Sequence, residues 1–277
     1  MNISAALSII RKKSSIIPEK KLAKVMQMTS LPLDEGFNAI PDELKLSFLK
    51  LEKINGKKFL KTAYKELVKY TGLEEVAPKR LKIKKLDPGI GGAYSWLYHK
   101  ISVSKYLPKT SSKASQLGTI AHELKHLEQS CSLIRCENIG LKNYIDNICE
   151  NMVYQNKKSL FNLGFYSEYC AAQKKGLGDA FLAEEKNNYM MNMGPIMKKK
   201  FHAIDKLPKT KCTPEIQELI DKRLEGIKTY IQPDWFEYSQ KLYFNNPLEV
   251  EAREAGQQVE NYFYKFLSAL NKTNQKT

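Results

Sequence analysis

The sequence predicts an α+β fold, predominantly helical, in which a small β-sheet packs on one long helix and a large helical segment is inserted after it. Three observations carry this expectation. Apolar residues recur at helical spacing through most of the chain, residues 81–104 alternate instead, and the helix expected at 115–130 pairs an apolar stripe with two histidines four residues apart. At 277 residues, with 42% hydrophobic and 10% aromatic content, the chain can bury a core as one large domain or two small ones. The expected division is a helical region over residues 1–75 and a second domain over 76–277. The second domain contains a helical insertion at 131–230 and a final long helix at 246–270.

The first fifteen residues place a short apolar patch before their charges. That is the wrong order for a secretory signal, so they are read as a first helix. Leu44, Phe48 and Leu51 form one helical patch, and Phe59, Tyr64, Leu67 and Tyr70 a second, with Asn55-Gly56 breaking the two. Residues 81–86 are partly alternating and end at the turn signal Asp87-Pro88-Gly89. Residues 93–104 read as a single half-exposed strand, with Leu97, Ile101 and Val103 on one face and Tyr98, Lys100, Ser102 and Ser104 on the other. Leu107-Pro108 ends it, a polar loop is expected over 109–114, and the histidine helix starts near Ser115. In that helix Leu117, Ile120, Leu124 and Leu127 make a stripe nearly opposite the histidines.

Tyr144, Ile145, Ile148, Met152 and Val153 mark a further helix. Another is expected at 215–231, carrying Ile216, Leu219, Ile220, Leu224 and Ile227, with breaks expected at 176–178 and at Gly194-Pro195. Asn246 can cap a helix whose first residue is Pro247, and Leu248, Ala252, Ala255, Val259, Phe263 and Phe266 form its buried stripe.

Net charge is +15, carried by Lys rather than Arg; the Arg residues are 11, 80, 135, 223 and 253. Arg is the residue suited to bidentate recognition of phosphate and base edges, so the charge reads first as a solvated lysine surface. A nucleic-acid or anionic-surface partner for the Lys-rich faces is the alternative. No apolar run approaches the ~18 residues of a membrane-spanning helix, so no transmembrane segment is expected. The five cysteines, 131, 136, 149, 170 and 212, contain no C-x-x-C pair and are odd in number. They are expected to be reduced and mostly buried, as in a cytoplasmic protein.

Residues 118–129 contain His-Glu-x-x-His. On a helix, His122 and His126 share a face and can reach one metal ion, with Glu123 beside it where a metal-bound water would sit. Zinc in hydrolytic sites takes three protein ligands and keeps one position open. Gln129 and Ser132 stand where the metzincin continuation needs Gly and His, which closes that route. His99 and His202 are the remaining histidines. A carboxylate on the helix after Pro247 is the other source, and periodicity leaves Glu249 and Glu251 equally placed there.

These two helices resemble the gluzincin zinc metallopeptidases, the thermolysin-like group and its relatives. Their second motif is a Glu on a helix, followed by a small residue three positions on and a Gly or other small residue seven on. Glu249 fits, with Ala252 and Gly256; Glu251 does not, with Glu254 and Gln258 in those places. The resemblance implies a zincin-like core with Zn²⁺ held by His122, His126 and Glu249, Glu251 being the reserve. It also implies Glu123 as the general base in hydrolysis of a protein or peptide substrate. The chain departs from the family at Arg253, where gluzincins commonly place an Asp that orients a zinc histidine. A second donor for the developing oxyanion is expected from among Tyr94, Tyr98, His99 and His202.

Overall fold

A computed structural model describes residues 39–158, 163–230 and 237–274. The helix expected over the first fifteen residues lies outside the described residues, as does the end of the one expected at 215–231. Ten helices and three strands follow in order among the described residues: α1 Asp42–Glu52, α2 Gly56–Tyr70, β1 Lys82–Lys84, β2 Gly92–Ser95, β3 Lys100–Ser104, α3 Leu107–Thr110, α4 Lys113–Arg135, α5 Gly140–Lys158, α6 Leu163–Lys174, α7 Gly178–Asp205, α8 Pro214–Lys228, α9 Glu237–Asn245 and α10 Pro247–Asn274. The fold is therefore α+β and predominantly helical. Among the described residues no helix is long and apolar enough to cross a membrane.

Most of the elements pack against α4. Its N-terminus is capped by Ser112, whose hydroxyl accepts the backbone N–H of Ser115 at 3.1 Å. The expected apolar stripe is there, with Leu117, Ile120 and Leu127 fully buried and Leu124 1% exposed. The opposite side is not open as its polarity suggests: Gln116, Glu123, His126, Gln129 and Ser130 are buried as well. The reason is that α10 lies along the polar side of α4, while α2, α5, β2 and β3 pack on the rest.

The first-turn acids Asp42 and Glu43 and the last-turn Lys50 match the macrodipole of α1. Phe48 of α1 meets Phe263 and Phe266 of α10 edge-on, with ring centroids 4.9 and 5.6 Å away, and all three rings are fully buried. Burial of each such ring stabilises the fold by roughly 1.5–3 kcal/mol. One continuous apolar core runs from Ile40 to Leu270.

The sheet has the order β1-β3-β2, with β3 parallel to β1 and antiparallel to β2. The single strand expected over 93–104 is instead a hairpin: Gly92 pairs with Val103 and Ser95 with Lys100, leaving residues 96–99 as the turn. His99 closes that turn in the left-handed region, φ +50, with its N–H bonded to Ser95 O at 2.9 Å. Ser102 and Ser104, expected on an open face, are buried in the central strand. Their register partners Lys82 and Lys84 lie on the same face, and those long side chains flank the short hydroxyls. The polar loop expected after Leu107 contains the short helix α3.

The helices after α4 follow their periodicity, except that Leu219, expected in the apolar stripe of α8, is exposed. Thr213 caps α8 and Pro214 takes its first turn. The break expected at 176–178 separates α6 from α7, but Gly194-Pro195 does not interrupt α7, which runs through Pro195. Glycine before proline relieves the clash that disfavours helix there, since Gly194 has no Cβ to meet the ring. Pro195 is exposed and still removes one backbone hydrogen bond. Pro195→Ala is therefore expected to stabilise the protein by up to roughly 3 kcal/mol, read as a higher midpoint in denaturant unfolding.

The cysteine expectation is corrected at one pair. Cys136 and Cys212 are joined, their Cα atoms 6.4 Å apart, while Cys131, Cys149 and Cys170 are free. Spacing gives no sign of the pair because the long intervening helices, not local sequence, return Cys212 to the end of α4. There Thr210 also bridges the backbone at Arg135 and Glu137.

Candidate metal centre

The two histidines and the carboxylate come from α4 and α10, and these helices cross at a pair of glycines. A Cβ on Gly256 would lie 2.8 Å from the Gly118 carbonyl oxygen, and one on Gly118 would lie 3.0 Å from that of Gly256. A side chain at Gly256 would force the backbones apart, and one at Gly118 would require its neighbour to give by a few tenths of an ångström. The cap of α10 fixes its start: Asn246 Oδ1 accepts Leu248 N–H at 3.0 Å, and Asn246 Nδ2 donates to Gly226 O at 2.8 Å. With start and crossing both set, Glu249 faces the histidines one turn further along α4.

His122 Nε2 lies 3.3 Å from Glu249 Oε2, and His126 Nε2 lies 3.2 Å from Glu249 Oε1. The two Nε2 atoms are 3.1 Å apart. A tetrahedral ion with ligand bonds of about 2.0–2.1 Å sets its ligand atoms about 3.3 Å from one another. All three separations are close to that. Glu249 is fully buried and its Oε2 has no hydrogen-bond donor. A buried carboxylate oxygen without a donor is costly, and a cation between the three groups would satisfy it. His122, His126 and Glu249 thus form a group that could hold a metal ion.

No family model, curated protein or solved structure matches this chain. The chemistry of the site has to be read from its own residues.

Glu123 is buried beside the cluster under strand β2, where its carboxylate accepts the backbone N–H of Tyr94. A Cβ at Gly92 would sit 2.6 Å from Glu123 Oε1, so a larger residue there would displace the carboxylate over which the strand passes. Burial pushes the Glu123 carboxyl up to about 7; His122 opposes the rise and Glu249 adds to it. Burial raises Glu249 too, but the two imidazoles facing it outweigh that and hold this carboxyl well below the usual range.

Glu251, the reserve ligand, turns away. Its Oε2 accepts Arg223 Nη2 at 2.8 Å and Gln129 Nε2 at 3.3 Å. Arg253 does not pair with Glu249; it bonds Phe244 O and its guanidinium sits 5.2 Å over the Phe244 ring. His99 is a core residue, with Nε2 2.7 Å from Val76 O and Nδ1 3.3 Å from the Tyr94 hydroxyl. Tyr98 is exposed beneath Lys100, and His202 is on the exposed side of α7. The four expected oxyanion donors are therefore not gathered at the cluster by any of these contacts.

Two other tyrosines are. Tyr230 donates its hydroxyl to Glu249 Oε1 at 2.9 Å, and Tyr243 reaches the same carboxylate. Trp96 completes an aromatic wall, 5.6 Å from the His126 ring and 6.4 Å from Tyr230. Tyr230 follows α8 and Tyr243 lies in α9, and neither carries a local spacing that marks it as part of a site.

Proposed function

We propose that this protein is a zinc-dependent metallopeptidase of gluzincin type that hydrolyses peptide bonds in a protein or peptide substrate. The observation that supports it best is the convergence of His122 Nε2, His126 Nε2 and both Glu249 oxygens at 3.1–3.3 Å spacings, with a further carboxylate buried beside them. A structural metal site would have no use for Glu123, since a buried carboxylate outside the ligand set only adds desolvation cost.

His122, His126 and Glu249 would hold the ion. A bound Zn²⁺ supplies acidification of a water and polarisation of the substrate carbonyl. Glu123, held in place by its bond from Tyr94 N–H, would serve as the group that takes a proton from the attacking water and returns it to the leaving amine. Tyr230 carries a hydroxyl proton at the cluster and can turn it from Glu249 toward a developing oxyanion. Strand β2 is an edge of the sheet and passes over Glu123, so an extended peptide can add to it through main-chain hydrogen bonds with its scissile bond at the cluster.

The test is metal content together with peptide cleavage, measured on the wild type and on Glu123→Gln. The expectation is about one zinc per chain in both, with cleavage in the variant lowered by about 10²- to 10⁴-fold. A wild-type protein that takes up no divalent ion, or a variant that cleaves as fast as wild type, would overturn the proposal.

A further inference from the structure

Behind the histidines lies a charge network, built on one buried arginine, that the hydrolytic reading leaves unused. Arg223, on α8, is 3% exposed. It donates to Glu251 Oε2 from Nε at 3.3 Å and Nη2 at 2.8 Å, and to Glu128 from Nη1 and Nη2, both at 3.2 Å. Nη1 also reaches Ser132 Oγ. Glu128 and Ser132 belong to α4 and Glu251 to α10, so one guanidinium joins both ligand helices. Desolvating an arginine costs several kcal/mol unless its donors are satisfied, and here the fork is filled.

The network ends on a histidine. Gln129 Nε2 donates to Leu248 O at 3.0 Å and to Glu251 Oε2 at 3.3 Å. A backbone carbonyl and a carboxylate accept only, so the two donors fix which way the amide faces. Gln129 Oε1 then lies 2.9 Å from His126 Nδ1. That oxygen cannot donate, so Nδ1 must carry the proton, which leaves the lone pair on Nε2, the atom facing Glu249.

We propose that Arg223, Glu251 and Gln129 form a positioning relay that holds His126 as its Nδ1–H tautomer and aims its Nε2 lone pair into the cluster. It rests on the cluster being a metal centre. The relay fills the place left by Arg253: the histidine is oriented by a glutamine three residues along its own helix, and that glutamine is oriented by the reserve carboxylate. It also makes α8 part of the site, since Arg223 anchors the relay and Tyr230 follows the same helix.

The experiment uses the full chain as wild type, Gln129→Met and Gln129→Glu. Nitrogen-15 NMR of the His126 ring in metal-free protein above pH 8 reads the tautomer, and competition with a chromophoric chelator reads zinc affinity. Wild type is expected to be Nδ1–H. Gln129→Met is expected to give mixed tautomers and affinity about 10- to 100-fold lower. Gln129→Glu keeps an acceptor at Nδ1 and is expected to keep the tautomer, at a cost in stability from setting its second oxygen against Leu248 O and Glu251. The wild-type tautomer tests the relay even if neither variant folds. An Nε2–H tautomer in wild type, or unchanged tautomer and affinity in Gln129→Met, would overturn the relay. Failure of wild type to bind zinc would instead remove the metal centre, with the tautomer still deciding whether Gln129 orients the ring.

Discussion

Glu249→Gln is expected to lower zinc affinity by more than the roughly 100-fold seen on changing an outer-shell residue, while the protein stays folded. The amide keeps the volume of a fully buried side chain but loses the charge and one of the two oxygens that face the imidazoles. It also brings an N–H₂ group against nitrogens whose lone pairs are needed for the ion. Glu251→Gln is the informative comparison. Its carboxylate contacts Arg223 and Gln129 and none of the three ligands, so its loss should fall within about 10- to 100-fold. Chelator competition on the two variants side by side decides between the carboxylates that periodicity leaves equivalent. Equal losses, or the larger loss at Glu251, would remove Glu249 from the ligand set.

Gly256→Val is expected to have the second large effect, at a position that touches no ligand atom of the cluster. Its Cβ would stand 2.8 Å from the Gly118 carbonyl, against backbone that cannot rotate aside, and 3.4 Å from His122 Cβ. Relief requires α10 to move off α4. Overpacking of this kind costs about 1–3 kcal/mol, and the movement carries Glu249 away from the histidines. The variant should show both a lower unfolding midpoint and lost zinc binding. Glu254→Ala, at an exposed position of the same helix, should show neither. Normal zinc uptake by Gly256→Val would mean that the crossing does not set the ligand geometry.

The same glycine shows how much could be read from residues alone. His122, Glu123 and His126 stand out because their chemistry and spacing are local, and the start of α10 stands out because Asn246-Pro247 is a local signal. The choice of Glu249 came from the resemblance, through Ala252 and Gly256. The structure supplies a physical reason for the small residue seven places on: it is the point where the second helix rests on the first. What escaped the sequence depends on contacts between distant segments. The hairpin hid in an unbroken alternating stretch because its turn, Trp96 to His99, contains neither Gly nor Pro. Tyr230 and Tyr243 carry no pattern, and Gln129 had weight only as an obstacle to another motif until its partners across α10 were seen. Arg253 departs from the resemblance at one position, and in the proposed relay Gln129, anchored through Glu251 by Arg223 of α8, takes its place.

The crossing of α4 and α10 also bears on the order in which a newly made chain can acquire the site. The histidines leave the ribosome well ahead of Glu249 and of the aromatic residues that seat its helix against α1. Until then the polar side of α4 lacks α10, and an ion meeting the two imidazoles would find an incomplete set of ligands. The cluster is therefore complete only once α10 docks, so a chain truncated between the histidines and residue 247 carries the motif without the cluster.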